Sequence, residues 1–457
     1  MAEQFWIETL GCPKNQVDSD KLVGSLVADG YRAATSAEDA DLVVVNTCAF
    51  IEAARQESID TVLALDDQRR DGSRLVVTGC MAERYGDELA DALPEVDLVA
   101  PFGVQLTGPA PVPVSLGRKS AAEETSPLPT FDLLNLPRPA STAPWAYVKV
   151  AEGCDRHCGF CAIPSFRGKQ RSRTGESIVA EVGQLAAGGV GLREVVLVAQ
   201  DLSSYGLDRT GDGRLGDIDG PAPGGRRPIV DLVRTVSSQV DWTRLLYLYP
   251  STLDDALVET ILSTGVPYFD LSLQHVSRPL LKRMRRWGEG ERFLDRIASI
   301  RAAEPAAAFR SNFIVGYPGE TEEDHDLLLK WIAEAELDWV GFFPFSPEAG
   351  TYAADLEDQV ARELMVERID ECTELQDAIT ARRREALIGE TVEVLVDAPG
   401  EGRTYREAPE IDGIVNIPAN LEVGSLVKVR VVDADGPDLV AVEDATHGSG
   451  VDGRVPA

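Results

Sequence analysis

Residues 151–164 read AEGCDRHCGFCAIP and set three thiols within eight positions, Cys154, Cys158 and Cys161, in a C-x3-C-x2-C spacing. Three thiolates fill all but one corner of a tetrahedral centre. A structural zinc site takes four protein ligands, usually as two C-x2-C pairs. No fourth cysteine or suitably spaced histidine follows here, and His157 would crowd a ligand set that uses all three thiolates. The spacing fits a 4Fe–4S cluster held by three cysteines, with one iron open to chelate a substrate or cofactor. Zinc or chance clustering is the alternative.

Three further cysteines, Cys12, Cys48 and Cys80, lie too far apart for a local motif. Singly, each reads as a small buried apolar residue. Yet ETLGC, VVNTC and VVTGC each place cysteine at the C-terminal end of a predicted strand. In an open parallel sheet those ends share the edge where ligands bind, and neighbouring strands are only ~4.8 Å apart. Gly11 and Gly79 permit tight turns there. On this geometry a second three-cysteine metal site and three unrelated core residues both stay open.

The elements around these residues predict an α/β protein in several parts. Residues 1–100 alternate β-branched runs with helical patterns at 18–29 and 49–68, as a parallel sheet with helices on its faces requires. Residues 101–145 hold nine of the 27 prolines and read as an extended linker without regular structure. Residues 146–386 offer six strand candidates, most followed by a helical pattern, where a complete barrel needs eight such units. An open, six-unit partial TIM-like barrel is expected, with Cys154 at the end of its first strand. The stretch 206–228 reads as a long surface loop, and a long charged helix at about 357–387 carries Cys372. Residues 390–445 are short strands broken by Gly, Pro and Asp, which suits a small antiparallel β-barrel. The tail 446–457 reads as disordered.

Composition narrows the setting. Lys and Arg number 44 against 76 Asp and Glu, a net charge of −32. Such a balance keeps a chain soluble or steers a basic partner, whereas a duplex-reading protein more often carries a basic stripe. The opening MAEQFWIETLGC lacks the basic and apolar regions of a signal peptide. No apolar run reaches the ~18–20 residues needed to span a bilayer. A cytoplasmic protein with reduced thiols is expected, with no membrane as partner.

The C-x3-C-x2-C loop on the first strand of a partial barrel resembles the radical S-adenosylmethionine enzymes. That resemblance implies that S-adenosylmethionine binds the open iron through its amino and carboxylate groups, and that its reductive cleavage yields a 5′-deoxyadenosyl radical. It also implies that Phe160 sits beside adenine, with a packing aromatic as the alternative. Later strand ends supply further candidates for cofactor contact: Gln200 and Asp201, Gln274 and His275, and Ile314 with Gly316. For each of these, packing or a turn is the competing reading.

The full arrangement is similar to the methylthiotransferase family. TLGCPKNQVDSD, VVNTCAFIEAA, VTGCMAERY, EGCDRHCGFCAIPSFRGKQRSR, LSLQHVSRPLLKRMRR, FIVGYPGETEEDH and FSPEAGTYAADL carry the likeness, and the small barrel resembles the TRAM domain, an OB-like module. The resemblance implies a second 4Fe–4S cluster on Cys12, Cys48 and Cys80 that carries the sulfur to be inserted. It implies two uses of S-adenosylmethionine, one to methylate that sulfur and one to generate the radical.

One branch of the family modifies adenosine in transfer RNA; another modifies an aspartate of small-subunit ribosomal protein twelve. GCPKNQVDSD and EAPEIDGIVNIP resemble the second branch. Residues 390–445 hold 13 acidic and four basic residues, a net −9 that would repel phosphate and suits a basic protein partner. The basic run at Lys169, Arg171 and Arg173 faces the target carboxylate, ribosomal RNA or solvent, so direct RNA binding stays open. The expected reaction is β-methylthiolation of an aspartate by radical hydrogen abstraction, with no acid–base pair among the side chains. A tRNA methylthiotransferase, or a non-catalytic iron–sulfur carrier, is the alternative. His325 and His447 are expected at the surface, and the sulfur and electron donors are not identified.

Overall fold

A computed structural model describes residues 2–107, 133–188, 190–209 and 227–444. The tail expected to be disordered, His447 and much of the predicted loop at 206–228 lie outside the described residues, as does the centre of the proline-rich stretch.

The first unit is a parallel sheet of β1 (Gln4–Thr9), β2 (Arg32–Ala33), β3 (Leu42–Thr47), β4 (Arg74–Gly79) and β5 (Leu98–Ala100), in the order β2-β1-β3-β4-β5. Helices α1 (Pro13–Ala28), α2 (Glu52–Gln68) and α3 (Cys80–Ala92) cross between strands. The run LVVVNT of β3 is buried throughout, because a central strand is covered on both faces. Pro13 starts α1, where a missing N–H costs nothing. After β5 the chain stays on this unit: Phe102, Val104 and Leu106 join its core. The stretch expected to lack regular structure carries a 3-10 turn at Leu133–Asn135. Lys21 holds it there by donating to the carbonyls of Leu134 at 2.8 Å and Leu136 at 3.1 Å.

The second unit begins with β6 (Trp145–Lys149), then a two-residue pair, β7 (Ala151–Glu152) with β8 (Arg171–Ser172), that brackets the cysteine loop and the short helix α4 (Ile163–Arg167). Strands β9 (Glu194–Val198), β10 (Trp242–Leu245), β11 (Tyr268–Gln274), β12 (Ala308–Val315) and β13 (Trp339–Pro344) follow. They pair in parallel as β6-β9-β10 and β11-β12-β13, and a bridge between Leu248 and Leu271 joins the halves into one arc of six strands. Helices α5 (Gly175–Ala186), α6 (Pro228–Ser237), α7 (Asp255–Leu262), α8 (Arg278–Arg283), α9 (Gly290–Ala303) and α10 (Glu322–Ala335) line the outside. Helix α11 (Arg362–Glu385) is charged overall yet buries Met365, Arg368, Cys372, Gln376 and Ile379, spaced three or four apart on one face. His325, expected at the surface, is buried under that face, with Nε2 2.7 Å from Glu371.

The third unit is a closed barrel, β14-β15-β16-β18-β17, from β14 (Thr391–Ala398), β15 (Glu401–Arg403), β16 (Val415–Asn416), β17 (Leu426–Asp435) and β18 (Asp438–Glu443). Its segment 404–412 enters the base of the six-strand arc. Tyr147 donates to the Pro409 carbonyl at 2.6 Å, Trp339 to that of Arg406 at 2.6 Å, and Tyr268 to Asp412 at 2.6 Å. Tyr268 and Trp339 open their strands and Tyr147 lies midway along its own, so the small barrel plugs the bottom of the arc, away from the strand C-termini. Among the described residues no helix is long and apolar enough to cross a membrane.

Candidate functional site

The contiguous cysteines sit on a loop clamped at both ends. The Cys154 N–H reaches the Gly168 carbonyl at 3.1 Å, and a Cβ on Gly153 would stand 2.2 Å from the Lys169 carbonyl oxygen, so only glycine fits. In the middle, Gly159 donates to Met284 O and accepts from Ala353 N–H, both at 2.8 Å. Cys154 Sγ accepts the Arg156 N–H at 3.4 Å, and Cys158 Sγ accepts from Arg286 Nη1 at 3.4 Å. Both guanidinium groups stack on the Tyr249 ring, 3.7 and 4.1 Å from its centre. Burial pushes the Cys154 and Cys161 thiols up to about 12, and the other cysteines of the trio add to the rise. Buried thiols that resist ionisation would be relieved by a cationic iron centre, which would take them as thiolates.

Around this loop the predicted contacts separate. Gln200 donates through Nε2 to Glu152 Oε1 at 2.7 Å, while its own Oε1 is buried with no hydrogen-bond partner. Gln274 ends β11 at φ +73°, beside an irregularity in the strand register, the kind of strain stored at functional sites. Phe160 and Ile314 are half-buried against the arc's core. Gly316, at φ +80°, owes its glycine to packing: a Cβ would fall 2.3 Å from Met365 Cγ on α11. Asp201 takes Arg156 Nε at 2.7 Å. His275 is buried and accepts the Ser277 N–H at Nδ1, 3.0 Å away, and burial lowers its pKa to about 4.

The dispersed cysteines come to one sheet edge. Thr9 lies beside Asn46 in the register of β1 and β3, and Thr47 lies beside Gly79 in that of β3 and β4. Cys12 caps α1, Cys48 follows β3 and Cys80 opens α3. A Cβ on Gly11, at φ +92°, would stand 2.8 Å from Cys48 Cβ and 3.0 Å from its Sγ. Asn15 is the hub. Its Nδ2 donates to Leu10 O at 2.8 Å and Thr47 O at 3.1 Å, and its Oδ1 faces the Cys80 thiol at 3.7 Å. The electrostatics are uneven. Burial pushes Cys48 up to about 12 and also raises Cys80. At Cys12 burial acts the same way, but Lys14, Arg167 and the N–H groups of Asn15 and Lys14 outweigh it and lower the thiol. Among the described residues no group of three or more His, Cys, Asp or Glu side chains could hold a metal ion. A cubane makes a different demand, one thiolate to each of three irons. The glycine-lined approach and the all-sulfur donor set suit that demand.

Between the trios runs a buried ionic seam that sequence reasoning missed. Lys149, at the end of β6, pairs with Asp18 of α1 and, at 2.7 Å, with Glu152. Arg167 Nη1 reaches Asp18 at 3.0 Å and both oxygens of Glu152 at 3.1 Å. Its Nη2 reaches Asn15 Oδ1 at 2.8 Å and Cys80 Sγ at 2.9 Å. Burial alone would raise Glu152, yet Arg167 and Lys149 hold it well below the usual carboxylate range. Nearby, Lys14 Nζ lies 3.3 Å from the centre of the Tyr247 ring. A second clamp uses Glu348, which takes Arg55 at 2.5 Å and Arg84 at 2.7 Å from the first unit. One signal was available: Asn15 and Asp18 are three apart and share a helix face just after Cys12. Of the basic run, Lys169 is exposed and Arg171 half-buried, but Arg173 is buried and pairs with Glu181 at 2.7 Å.

Comparison with known proteins matches the three units separately. Residues 4–101 fit a family described as uncharacterized protein family UPF0004, residues 148–332 the Radical SAM superfamily, and residues 388–442 the TRAM domain. Similar proteins include three named ribosomal protein uS12 methylthiotransferase RimO. That of Salinispora arenicola is 42% identical over 95% of this chain and 94% of its own. That of Moorella thermoacetica is 42% identical over 93% and 95%. That of Geobacter sulfurreducens is 40% identical over 96% and 98%.

Proposed function

The chain belongs to the ribosomal protein uS12 methylthiotransferase family, and from that premise we propose how its residues divide the work. It is a radical S-adenosylmethionine methylthiotransferase that uses one 4Fe–4S cluster and S-adenosylmethionine. Its substrate is small-subunit ribosomal protein twelve, modified at the β-carbon of an aspartate. Cys154, Cys158 and Cys161 hold the first cluster, and Cys12, Cys48 and Cys80 hold a second that bears the sulfur. When bound, the first cluster and its cofactor supply one-electron chemistry that removes a hydrogen atom no neutral-pH base in the site could take.

The protein's own residues bind, orient and exclude water. Gln200 offers a buried carbonyl oxygen at the strand ends, and Phe160, Gln274, Ile314 and Gly316 line the same end of the arc. Arg286, stacked on Tyr249, places positive charge against the contiguous thiolates, while the Arg156 guanidinium on the same ring pairs with Asp201. Tyr247 is kept protonated by burial and lies under Lys14 beside Cys12. With the small barrel in the base, the target must approach from the strand C-termini.

The single observation that carries this reading is the seam: Arg167, six residues after Cys161, bonds to Cys80, so the loop of one trio reaches a sulfur of the other. The test is mass spectrometry of targets after turnover by reconstituted, reduced protein. A gain of about 46 Da, a hydrogen replaced by methylthio, is expected on the ribosomal protein's aspartate. The same gain on transfer RNA adenosine, with none on the protein, would overturn the substrate.

A further inference from the structure

Arg167 ends α4, on the loop that carries the contiguous cysteines, but its side chain crosses to the first unit. The side chain is 3% exposed. One nitrogen serves two carboxylates, Asp18 and Glu152; the other serves Asn15 and the sulfur of Cys80 at 2.9 Å. The guanidinium carbon also lies 4.3 Å from the centre of the Phe102 ring. A clamp between domains needs only the carboxylates, which Lys149 already shares. The bond to sulfur calls for its own explanation.

We propose that Arg167 is a positioning residue for the second cluster: it orients the Cys80 thiolate and, by donating to its sulfur, raises that cluster's reduction potential. This rests on the reading that Cys12, Cys48 and Cys80 hold a cluster. Hydrogen bonds to ligand sulfurs and nearby charge are the levers that set such potentials. A full positive charge in a dry site favours the more negative, reduced state. The planar fork serves a second purpose. It ties Cys80 to Glu152, two residues before Cys154, so the orientation of one trio is fixed relative to the other.

The test uses full-length protein with Cys154, Cys158 and Cys161 all changed to Ala, so that any iron belongs to the dispersed trio. Iron and sulfide are counted, and the midpoint potential is read by EPR-monitored titration, with Arg167 intact and as Arg167→Gln or Arg167→Lys. About four irons are expected, with the midpoint moved to more negative values in Arg167→Gln and by less in Arg167→Lys. Lysine keeps the charge and loses the fork. Four irons with an unmoved midpoint in Arg167→Gln would overturn the role of Arg167 while leaving the second cluster intact. No iron in the parent triple variant would overturn the cluster reading and this inference with it. If Arg167→Gln loses iron or fails to fold, Arg167→Lys decides by the same midpoint criterion.

Discussion

The two cysteine trios reach similar chemistry by opposite routes. One lies within eight residues, on a loop that hydrogen bonds within its own unit, to Gly168, Met284 and Ala353, hold in shape. The other is assembled from three strand ends 68 residues apart from first to last, and its shape depends on the parallel register of β1, β3 and β4. The contiguous trio takes a guanidinium donor, Arg286, from its own unit. The dispersed trio borrows Arg167 from the neighbouring unit. A local site tolerates movement between domains; a borrowed cation does not. The contrast teaches that the second trio is complete only when the domains are docked.

The contrast breaks most sharply at the cysteines. Cys154→Ala should reduce 5′-deoxyadenosine formation by reduced protein to the level of buffer, as chromatography would record. Cys80→Ala should leave it near the parent level and abolish the 46 Da product, about as a cofactor-borne transfer requires. Equal loss of both activities in both variants would mean one site, not two. Next in size is Glu348→Ala, which strands Arg55 and Arg84. Removing one partner from so buried a cluster costs about 3–5 kcal/mol. Denaturant melts should show the first unit leaving early, with 5′-deoxyadenosine formation kept and product lost.

Smaller changes sharpen the same difference. Gly11→Ala forces a Cβ at φ +92° to within 2.8 Å of Cys48, a strain of about 1–3 kcal/mol. Iron analysis should report loss confined to the dispersed trio. The smallest effect is in pH. Burial raises the Asp412 carboxyl from 3.8 to about 6, against the pull of Arg310, Tyr268 and the Ala408 N–H. A raised carboxyl pKa means the folded state holds the proton more tightly, so this contribution is full below pH 3.8 and is lost as pH rises through about 6. Asp412→Asn should flatten the fall in melting temperature between those values. An unchanged slope would place the titration elsewhere.

Much of this architecture is readable in one dimension because the apolar runs are strong. LVVVNT and EVVLV have no fate but a strand covered on both faces, and C-x3-C-x2-C is a complete motif in itself. The convergence of Cys12, Cys48 and Cys80 was legible only as three strand ends, since register is a property of the sheet. Of the seam only the shared helix face of Asn15 and Asp18 was legible. Lys149 sits in a strand, Asp18 in a helix and Arg167 at the end of a short helix, and nothing local announces that a charge has a partner 149 residues away. Arg173 and His325 are drawn inside by tertiary partners, Glu181 and Glu371, that no sequence neighbour announces. The segment EAPEIDG resembles a family signature, yet its work here is to plug the base of the arc, a role visible only through Tyr147, Tyr268 and Trp339.

Anaerobic iron and sulfide analysis of the parent, Cys12→Ala and Cys154→Ala tests the two-site account most directly. About eight irons per chain in the parent and about four in each variant are expected, at four per cubane. A parent with only about four irons, lost entirely in Cys154→Ala and untouched in Cys12→Ala, would contradict it.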